Sequence, residues 1–398
     1  MSAIAKKPSD SIVAFGGIDW WYHNRGHSEC QILKRLAGEM PVLWINSIGM
    51  RAPSPGKTEL PMKRYIRKFK STLKGLRKDP ESGMWIYSPI FVPRYTLPWL
   101  RFNGWFLSLQ VRLIRMLLGM RNPTAWVTPP TAIEAVERMR WAQVVFNRSD
   151  DFSRFPEADT AFIASLEKRV IKRSDHVFYT SHALMEREAH LCNSYEYLGH
   201  GVDYDRFSTC RTAAEPGPLP DEIADLPRPI VGFYGALDDY TIDKELVIAT
   251  ARHIHPATLL IIGPKAMDTT SVEAEPNVRY IGQIPYDDVP RYAGCFDVAL
   301  MPWLMNEWIE SSNPIKLREY LAVGFPIVTT QFPELAPFAG EVYAASNQRE
   351  FLAGVDRALI ERDPEAVHRR RAFVKNSTWD ALSRRVADRI LNPTGNGN

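Results

Sequence analysis

A βαβ unit between residues 298 and 330 limits the fold of this chain more than any other stretch. Val298 to Pro302 and Pro326 to Thr330 are short apolar runs of the kind that form buried strands. Between them, three apolar residues recur at helical spacing: Leu317, Tyr320 and Leu321. Gly324, shortly after them, is the residue type that most often ends a helix. A strand, a helix and a second strand in this order predict an α/β fold.

The start of that helix has the composition of an anion-binding site. Residues 311 to 313 are Ser, Ser and Asn, which favour the helix N-cap, and Pro314 suits the first helical position. Free N–H groups at residues 312 to 315 would attract an anion, and Lys316 adds a formal charge. Glu319, one turn further on, has a carboxylate that can accept hydrogen bonds from a sugar diol. The stretch therefore outlines a nucleotide-diphosphate pocket, although an ordinary capped α/β unit would contain the same residues.

Short apolar strands and helical stretches alternate along most of the chain. Strands are predicted at Ser11–Phe15, Pro41–Ile45, Trp85–Tyr87, Ala125–Val127, Gln143–Phe146, His176–Tyr179, Pro229–Tyr234 and Thr258–Gly263. Such alternation predicts mainly parallel, doubly wound sheets, which bind ligands beyond the carboxyl ends of their strands. At 398 residues, the chain is long enough for two such domains, each with its own core.

Composition also marks the domain boundaries. Residues 209–228 are rich in proline and poor in large apolar side chains, which predicts a linker. We therefore expect an N-terminal domain over residues 1–208, with a basic, aromatic insert at 50–121, and a C-terminal domain over 229–376. Residues 377–398 contain an amphipathic helix and a polar tail that we expect to be disordered.

Charge and cysteine content exclude several classes of protein. A net charge of +3 gives no general argument for nucleic-acid binding. The four cysteines are scattered without a CxxC pair, which argues against a zinc site or a disulfide framework and fits a reducing cytosol. Residues 1–11 are polar and contain no apolar h-region of the kind found in signal peptides, and no apolar run is long enough to span a bilayer. We expect a cytoplasmic protein, either soluble or peripheral on the inner face of the membrane.

Positive charge is concentrated in one segment of the N-terminal half. Between Met62 and Arg121, thirteen Lys or Arg residues stand against Asp79 and Glu81, a net charge of +11. Within this segment, Pro98 to Met120 is predicted as an amphipathic helix that carries Trp, Phe and Leu beside arginines. Such a helix can lie in the surface of an anionic membrane. A solvated basic helix packed on the core would have the same sequence, whereas no recognisable RNA-binding module is present.

Two further sets of candidate residues follow strands of the first half. Gly16 and Gly17 come directly after the first strand, where glycine lets a backbone approach a ligand. The GxGxxG pattern of dinucleotide-binding proteins is absent. Asp150 and Asp151 follow the strand Gln143–Phe146, at the end of the sheet where ligands bind.

The order of residues 313–328 resembles the donor-binding segment of family-4 glycosyltransferases of the GT-B fold, where S-P-x-K-x-x-E-Y-x-A-x-G-x-P-V-V recurs. The matching residues are Asn313-Pro314-Ile315-Lys316, Glu319-Tyr320-Leu321-Ala322, Gly324 and Pro326-Ile327-Val328. The resemblance implies two Rossmann-like doubly wound domains facing each other across a cleft, with the last helix crossing back to the first domain. It also implies retaining transfer of a sugar from a nucleotide-diphosphate sugar to a glycan or lipid-linked acceptor in polysaccharide biosynthesis, with neither a metal nor a separate cofactor.

The resemblance also implies roles for single residues. Lys316 and the helix dipole would hold the leaving diphosphate, and Glu319 the ribose. The expected donor-binding residues are Gly16, Gly17, Gly235, Gly282, Ile284, Asn313, Ile315, Lys316 and Glu319. Glu310 is the expected catalytic carboxylate, while Asp150 or Asp151 would hold acceptor hydroxyls and the other would cap the next turn.

The sequence departs from the family pattern at three places. The first Glu of the family's E-x7-E would fall at Ser311, so Glu310 is displaced by one residue. Ala236 stands where the family often has an arginine that grips diphosphate. Arg148-Ser149-Asp150-Asp151 replaces a common His-Asp pair. These differences keep two alternatives open: a nucleotide-sugar 2-epimerase of the same fold, and a catalytically degenerate scaffold partner.

Overall fold

The computed structural model describes residues 9–49, 61–156, 158–212 and 215–392, without the side chains of residues 61–65. This part of the chain forms two compact units. The first unit contains the residues up to Gly199 together with those from Trp379 onward, and the second contains His200–Thr378. The start of the predicted insert, residues 50–60, and the predicted disordered tail from residue 393 lie outside the described residues.

The first unit is built on an eight-stranded sheet in the order β3-β4-β2-β1-β5-β6-β7-β8. Only β3 is antiparallel to its neighbour. The strands are β1 Ile12–Phe15, β2 Val42–Ile45, β3 Leu76–Lys78, β4 Trp85–Tyr87, β5 Thr124–Val127, β6 Val144–Arg148, β7 His176–Tyr179 and β8 Tyr195–Tyr197. The helices before the second unit are α1 Ser28–Leu36, α2 Pro61–Thr72, α3 Leu97–Leu117, α4 Ile133–Val136, α5 Thr160–Arg173 and α6 His182–Glu188.

The second unit contains a six-stranded, fully parallel sheet in the order β11-β10-β9-β12-β13-β14. Its strands are β9 Ile230–Tyr234, β10 Thr258–Ile262, β11 Val278–Tyr280, β12 Val298–Met301, β13 Ile327–Thr330 and β14 Tyr343–Ala345. Its helices are α7 Tyr204–Ser208, α8 Lys244–Ile254, α9 Thr270–Glu273, α10 Val289–Ala293, α11 Ile315–Val323, α12 Gln348–Ile360 and α13 Pro364–Val374. Strands β9, β10 and β12 are buried along their whole length, because helices cover both faces of a parallel sheet.

Each sheet has one place where the strand order reverses. In the second unit the chain runs from β9 outward to β10 and β11, then returns to β12 and continues on the other side. In the first unit the corresponding neighbours are β1 and β5. In open α/β sheets, ligands bind in a crevice beyond the carboxyl ends of the two strands at such a point. The residues that follow β9 and β12, and those that follow β1 and β5, are therefore the expected lining of a ligand site.

The last helix, α14 (Trp379–Leu391), belongs to the first unit rather than to the second. It packs against α1, with Trp379, Val386 and Ile390 fully buried. The Gln143 amide donates to the carbonyl of Ile390 over 2.7 Å. The apolar face of the predicted amphipathic helix therefore completes the core of the first unit.

Several elements differ from the sequence-based expectation. The insert predicted at residues 50–121 contains α2 and the edge strand β3, which was not predicted because its Leu-Arg-Lys sequence has no apolar alternation. The strand β8 was not predicted either. The second unit begins at His200, before the predicted boundary at 208, because Phe207 of α7 is buried in its core.

Candidate functional site

Three neighbouring strands of the second unit end in glycines whose backbones touch. Gly235, Gly263 and Gly282 follow β9, β10 and β11, with φ angles of 145°, 150° and 79°. The Gly263 N–H donates to the Gly282 carbonyl over 2.8 Å, and a Cβ on Gly263 would lie 1.8 Å from the carbonyl oxygen of Gly235. Only glycine fits such a close approach at these φ values. The backbones of these strand ends therefore pack closely beside the switch point, and only the space beside Gly282 is open among the three glycines.

The Lys316 side chain of α11 reaches into this same place. Its ammonium lies 4.6 Å from the centre of the Phe233 ring, and a Cβ on Gly235 would come within 2.1 Å of its Nζ. Within the described residues, no acceptor lies at hydrogen-bond or ion-pair distance from this ammonium. Burial lowers the pKa of Lys316 to about 8, while Asp238 and Glu319 act against that shift. A desolvated cation without a close counter-charge is a ready site for an anion.

The N-terminus of α11 is open in a way the sequence did not predict. Pro314 precedes the helix as its N-cap residue instead of occupying its first position, and a proline side chain cannot make a capping hydrogen bond. The expectation that residues 311 to 313 supply the cap is therefore wrong. Ser312 donates its hydroxyl to the Trp308 carbonyl over 2.8 Å, and Asn313 accepts from Arg318 over 2.7 Å. These side chains are engaged elsewhere, so the first amides of α11, starting at Ile315, keep their capacity to donate to a ligand.

Glu319 is held by two tyrosines that the sequence analysis had not singled out. Tyr234 donates to one carboxylate oxygen over 2.8 Å and Tyr286 to the other over 2.7 Å. Burial raises the pKa of Glu319, although both hydrogen bonds oppose the shift. A carboxylate accepts about four hydrogen bonds, so this one retains capacity for a diol. Tyr234 is the last residue of β9, and Tyr286 follows the loop after Gly282. Because these two tyrosines are far apart in the sequence, their shared contact with Glu319 could not be predicted.

Two other predicted residues of the second unit, Glu310 and Ile284, have no described contact with Lys316 or Glu319. Glu310 lies in a short helical turn, Ile309–Ser311, before α11, with an exposed side chain. Ile284 is half-buried and packs against the core after β11, while the backbone at Gly282 faces open space. The structure therefore presents Glu310 to solvent and leaves room for a ligand beside the loop from Gly282 to Ile284.

The glycine pair of the first unit is explained mostly by packing. A Cβ on Gly16 would fall 2.2 Å from the Trp44 ring, so this position cannot carry a side chain. The Gly17 N–H donates to the buried carboxylate of Glu29 over 3.0 Å. Glu29 lies on α1 beside the switch point and is not among the residues predicted from the sequence. Burial raises the pKa of Glu29 to about 7, and the nearby Asp150 adds to the shift.

Asp150 and Asp151 have clearly different environments. Asp151 is buried, accepts from the Ser153 hydroxyl over 2.7 Å and pairs with Arg187 over 2.7 Å. It thus belongs to a buried charge cluster around Arg148, whose guanidinium also pairs with Glu167 and Glu188. Asp150 is half-exposed, and burial raises its pKa to about 7, against the pull of Arg148. Asp151 is held by several structural partners, whereas Asp150 is half-exposed and has a side-chain hydrogen bond with Ser149.

The structure brings together some of the predicted residues and separates others. Gly235, Gly282, Lys316 and Glu319 lie at the carboxyl end of the second unit's sheet, together with Gly263, which was not predicted. Gly16, Gly17, Asp150 and Asp151 lie in the first unit. Among the residues that the structure describes, no three His, Cys, Asp or Glu side chains are grouped as a metal site. Within the same residues, no helix is both long and apolar enough to cross a bilayer.

Comparison with known proteins places these residues of the second unit inside a known family segment. Residues 228–361, which include β9 to α12, match the family described as Glycosyl transferases group 1. The putative teichuronic acid biosynthesis glycosyltransferase TuaH of Bacillus subtilis (strain 168) is 26% identical over 259 residues. That match covers 62% of this chain and 63% of TuaH, so the chain spans less than two thirds of the length of this curated relative.

Solved structures resemble nearly the whole chain. A sucrose-phosphate synthase from Thermosynechococcus elongatus superposes with a TM-score of 0.69 at 14% identity, covering 95% of this chain and 98% of the other. The Anabaena protein Alr3699/HepE, in complex with UDP and glucose, gives a TM-score of 0.65 at 12% identity over 96% and 100% of the chains. Likeness at such low identity shows the fold. The chain therefore has the GT-B fold with two Rossmann-like domains, and residues 228–361 of its second unit are similar to the group 1 glycosyl transferases.

Proposed function

We propose that this protein is a glycosyltransferase that moves a sugar from a nucleotide-diphosphate sugar to a glycan or lipid-linked acceptor in polysaccharide biosynthesis. The observation that carries the proposal is the Lys316 ammonium beside Gly235 at the start of α11, which is desolvated and has no close acceptor in the part of the chain that the structure describes. The surrounding segment is the one that matches the group 1 glycosyl transferases. UDP in the Anabaena structure and UDP-2-fluoro glucose in an E. coli structure of the same fold support a nucleotide sugar as donor.

In the proposed reaction the second unit stabilises the leaving group. Breaking the bond between the anomeric carbon and the diphosphate leaves negative charge on the diphosphate. The N–H groups at the start of α11 and the Lys316 ammonium are fixed before the reaction, so they stabilise this charge without reorganisation. Glu319 accepts from the ribose hydroxyls, and the loop from Gly282 to Ile284 contacts the base. Transfer proceeds with retention and without a metal ion.

The acceptor is proposed to bind at the first unit. Asp150 is half-exposed at the carboxyl end of β6, and its neighbour Glu29 lies at the switch point between β1 and β5. Carboxylates at these positions accept hydrogen bonds from sugar hydroxyls. We also propose that the basic, aromatic segment 62–121 attaches the protein to the anionic inner face of a membrane, where lipid-linked acceptors are held. Glu310 is proposed as the carboxylate nearest the reacting sugar.

The donor site is tested by titrating the protein with UDP, GDP and ADP in a calorimeter. One of them is expected to bind, and Lys316→Met is expected to weaken that binding by about 1–3 kcal/mol, the contribution of a charged hydrogen bond. Lys375→Met, on an exposed residue at the end of α13, is the matched control and should bind normally. Equal affinity in wild type and folded Lys316→Met would remove the donor-site assignment.

Two measurements separate the proposal from its alternatives. Transfer to acceptor should continue in EDTA, and a loss that magnesium or manganese restores would indicate another class of transferase. A 2-epimerase would convert UDP-N-acetylglucosamine without any acceptor. A degenerate scaffold would fail to bind all three nucleotides.

A further inference from the structure

A cavity of about 730 Å³ lies in the first unit, away from the candidate acceptor residues. It is formed by the last turns of α3, the turn at residues 119–121 and the loop at residues 138–140. The turn precedes β5 and the loop precedes β6, so the cavity lies at the amino ends of these strands. Asp150 follows β6 at the opposite end. The cavity is therefore separate from the crevice to which the proposed function assigns the acceptor.

The cavity is lined by arginines and methionines. Five arginines from all three segments contribute to it: Arg112, Arg115, Arg121, Arg138 and Arg140. Its described lining contains no Asp or Glu. The nearest carboxylates are only partly available, since Glu134 pairs with Arg138 over 3.3 Å and also with Arg169. Asp10 accepts from the backbone of the 119–121 turn and attracts Arg115.

The arginines of α3 are held in place by the backbone of the other two segments. Arg115 donates to the carbonyl of Arg121 over 3.2 Å and to that of Arg140 over 3.2 Å. Arg112 donates to the carbonyl of Arg138. These bonds bring five like charges together and leave the exposed side chains of Arg121 and Arg140 with no carboxylate in ion-pair range among the described residues. Crowded arginines with fixed positions favour an anion that offers several acceptor oxygens, such as a phosphate ester.

The outward face of α3 is apolar along its whole length. Leu100, Leu107 and Val111 face the core, so a second apolar face on the opposite side has no packing role within the unit. That face contains residues at spacings of three and four with exposed fractions from 40% to 71%: Phe102, Trp105, Leu109, Leu113 and Met116. We call these five residues the outer stripe. Met116 also lines the cavity, so the outer stripe ends at the arginines.

We propose that the arginine cavity binds the phosphate headgroup of an anionic phospholipid, while the outer stripe of α3 lies among the lipid chains at the membrane surface. This inference rests on the membrane attachment in the proposed function and gives it a defined site. An apolar stripe on a helix of 21 residues, next to clustered arginines, has the composition of a helix that lies in the plane of an interface. An anionic bilayer would bury the outer stripe in its lipid chains and neutralise the arginines with its headgroups. A neutral protein surface could cover the outer stripe but would leave the arginines without counter-charges.

The experiment measures co-sedimentation of the full chain with vesicles of phosphatidylcholine containing increasing phosphatidylglycerol. Arg121→Gln with Arg140→Gln removes two cavity charges whose side chains make no described hydrogen bond. The matched control is Arg279→Gln with Arg349→Gln, two exposed arginines of the second unit with the same change of charge. Each basic residue close to an anionic surface contributes about 1 kcal/mol, so the cavity variant, which loses two, should bind anionic vesicles about thirtyfold more weakly than wild type. The control should lose about twofold or less, because its two arginines lie outside the cavity. Leu113→Gln should weaken binding to the same vesicles without changing charge.

Each other outcome contradicts the inference in a distinguishable way. If the cavity variant and its control lose the same amount of vesicle binding, binding depends on the overall charge of the protein and not on the cavity. Saturable binding of inorganic phosphate without vesicle binding would assign the cavity to a free anion. A dimer in solution that Leu113→Gln dissociates would assign the outer stripe to a second copy of the chain. Nucleotide titration of the same samples tests the donor site separately, so failure at the membrane does not affect that result.

Discussion

At the scale of single residues, the candidate site depends on ionisable groups that are buried without full compensation. Lys316 is the clearest case, because among the described residues the carboxylates of Asp238 and Glu319 offset its desolvation without forming an ion pair with its ammonium. Sequence reasoning identified this lysine from its position in a motif. It could not identify Tyr234, Tyr286 or Glu29, because their roles arise from contacts between segments that are far apart in the chain.

The depressed pKa of Lys316 predicts how nucleotide binding depends on pH. Below a pKa of about 8 the side chain is charged and attracts a diphosphate, whereas above it the free protein loses that charge. We expect the affinity for UDP, or for whichever nucleotide binds, to fall between pH 7 and pH 9.5. Lys316→Arg, whose guanidinium stays charged throughout, should have a flatter profile. Calorimetric titrations of both proteins at several pH values measure this, and parallel profiles would show that another group titrates.

Asp150 and Asp151 are predicted to affect stability in opposite directions. Burial raises the pKa of Asp150 from 3.8 to about 7, so its ionisation opposes folding increasingly as pH rises from about 4 to about 7. Asp150→Asn should therefore raise the melting temperature more at pH 8 than at pH 4.5. Although burial acts against it, Arg148 lowers the pKa of Asp151, so Asp151→Asn should destabilise the protein at neutral pH. Thermal unfolding of both variants provides the comparison, and stabilisation by Asp151→Asn would contradict the assignment.

At the scale of elements, the segments with a strong apolar period were predictable. The strands β9, β10, β12 and β13 were predicted within one or two residues, because buried parallel strands are nearly continuous apolar runs. The edge strands β3 and β8 were missed, since each has only three residues and polar side chains. The start of α11 was also misassigned, because its Ser and Asn side chains found partners in the preceding turn and in Arg318.

The three glycine strand ends of the second unit provide a prediction at this scale. Gly263→Ala would place a Cβ 1.8 Å from the carbonyl oxygen of Gly235, at a φ of 150°. We expect a loss of about 2–5 kcal/mol in the free energy of unfolding, from the clash and the backbone strain together. Gly282→Ala has a φ of 79° but open space around the new Cβ, so it should cost about 1–2 kcal/mol. Denaturant unfolding of the two variants measures the difference. Equal losses in the free energy of unfolding would mean that backbone strain alone, and not the clash at Gly263, sets the effect.

At the scale of the whole molecule, the chain builds its first unit from both of its ends. Two doubly wound sheets followed from the alternation of strands and helices in the sequence, but periodicity alone could not show to which unit the last helix belongs. That assignment depends on the match between its apolar face and α1, and on the hydrogen bond from Gln143. The boundary at His200 has a similar origin, since the burial of Phe207 ties α7 to the second unit.

The contribution of α14 predicts that a change near the end of the chain will destabilise the unit at its beginning. Val386 is fully buried on the face of α14 that packs in the first unit, so Val386→Asp places a charge in that core. We expect a loss of about 3–5 kcal/mol of stability for the first unit, as for other unpaired charges in a core. The second unit should keep its affinity for the nucleotide, because its sheet and Lys316 lie within residues 200–378. Arg384→Asp, an exposed change on the same helix, is the control. Hydrogen exchange followed by mass spectrometry reports each unit separately, and uniform loss of protection in β1 and β9 would show instead that the two units unfold as one.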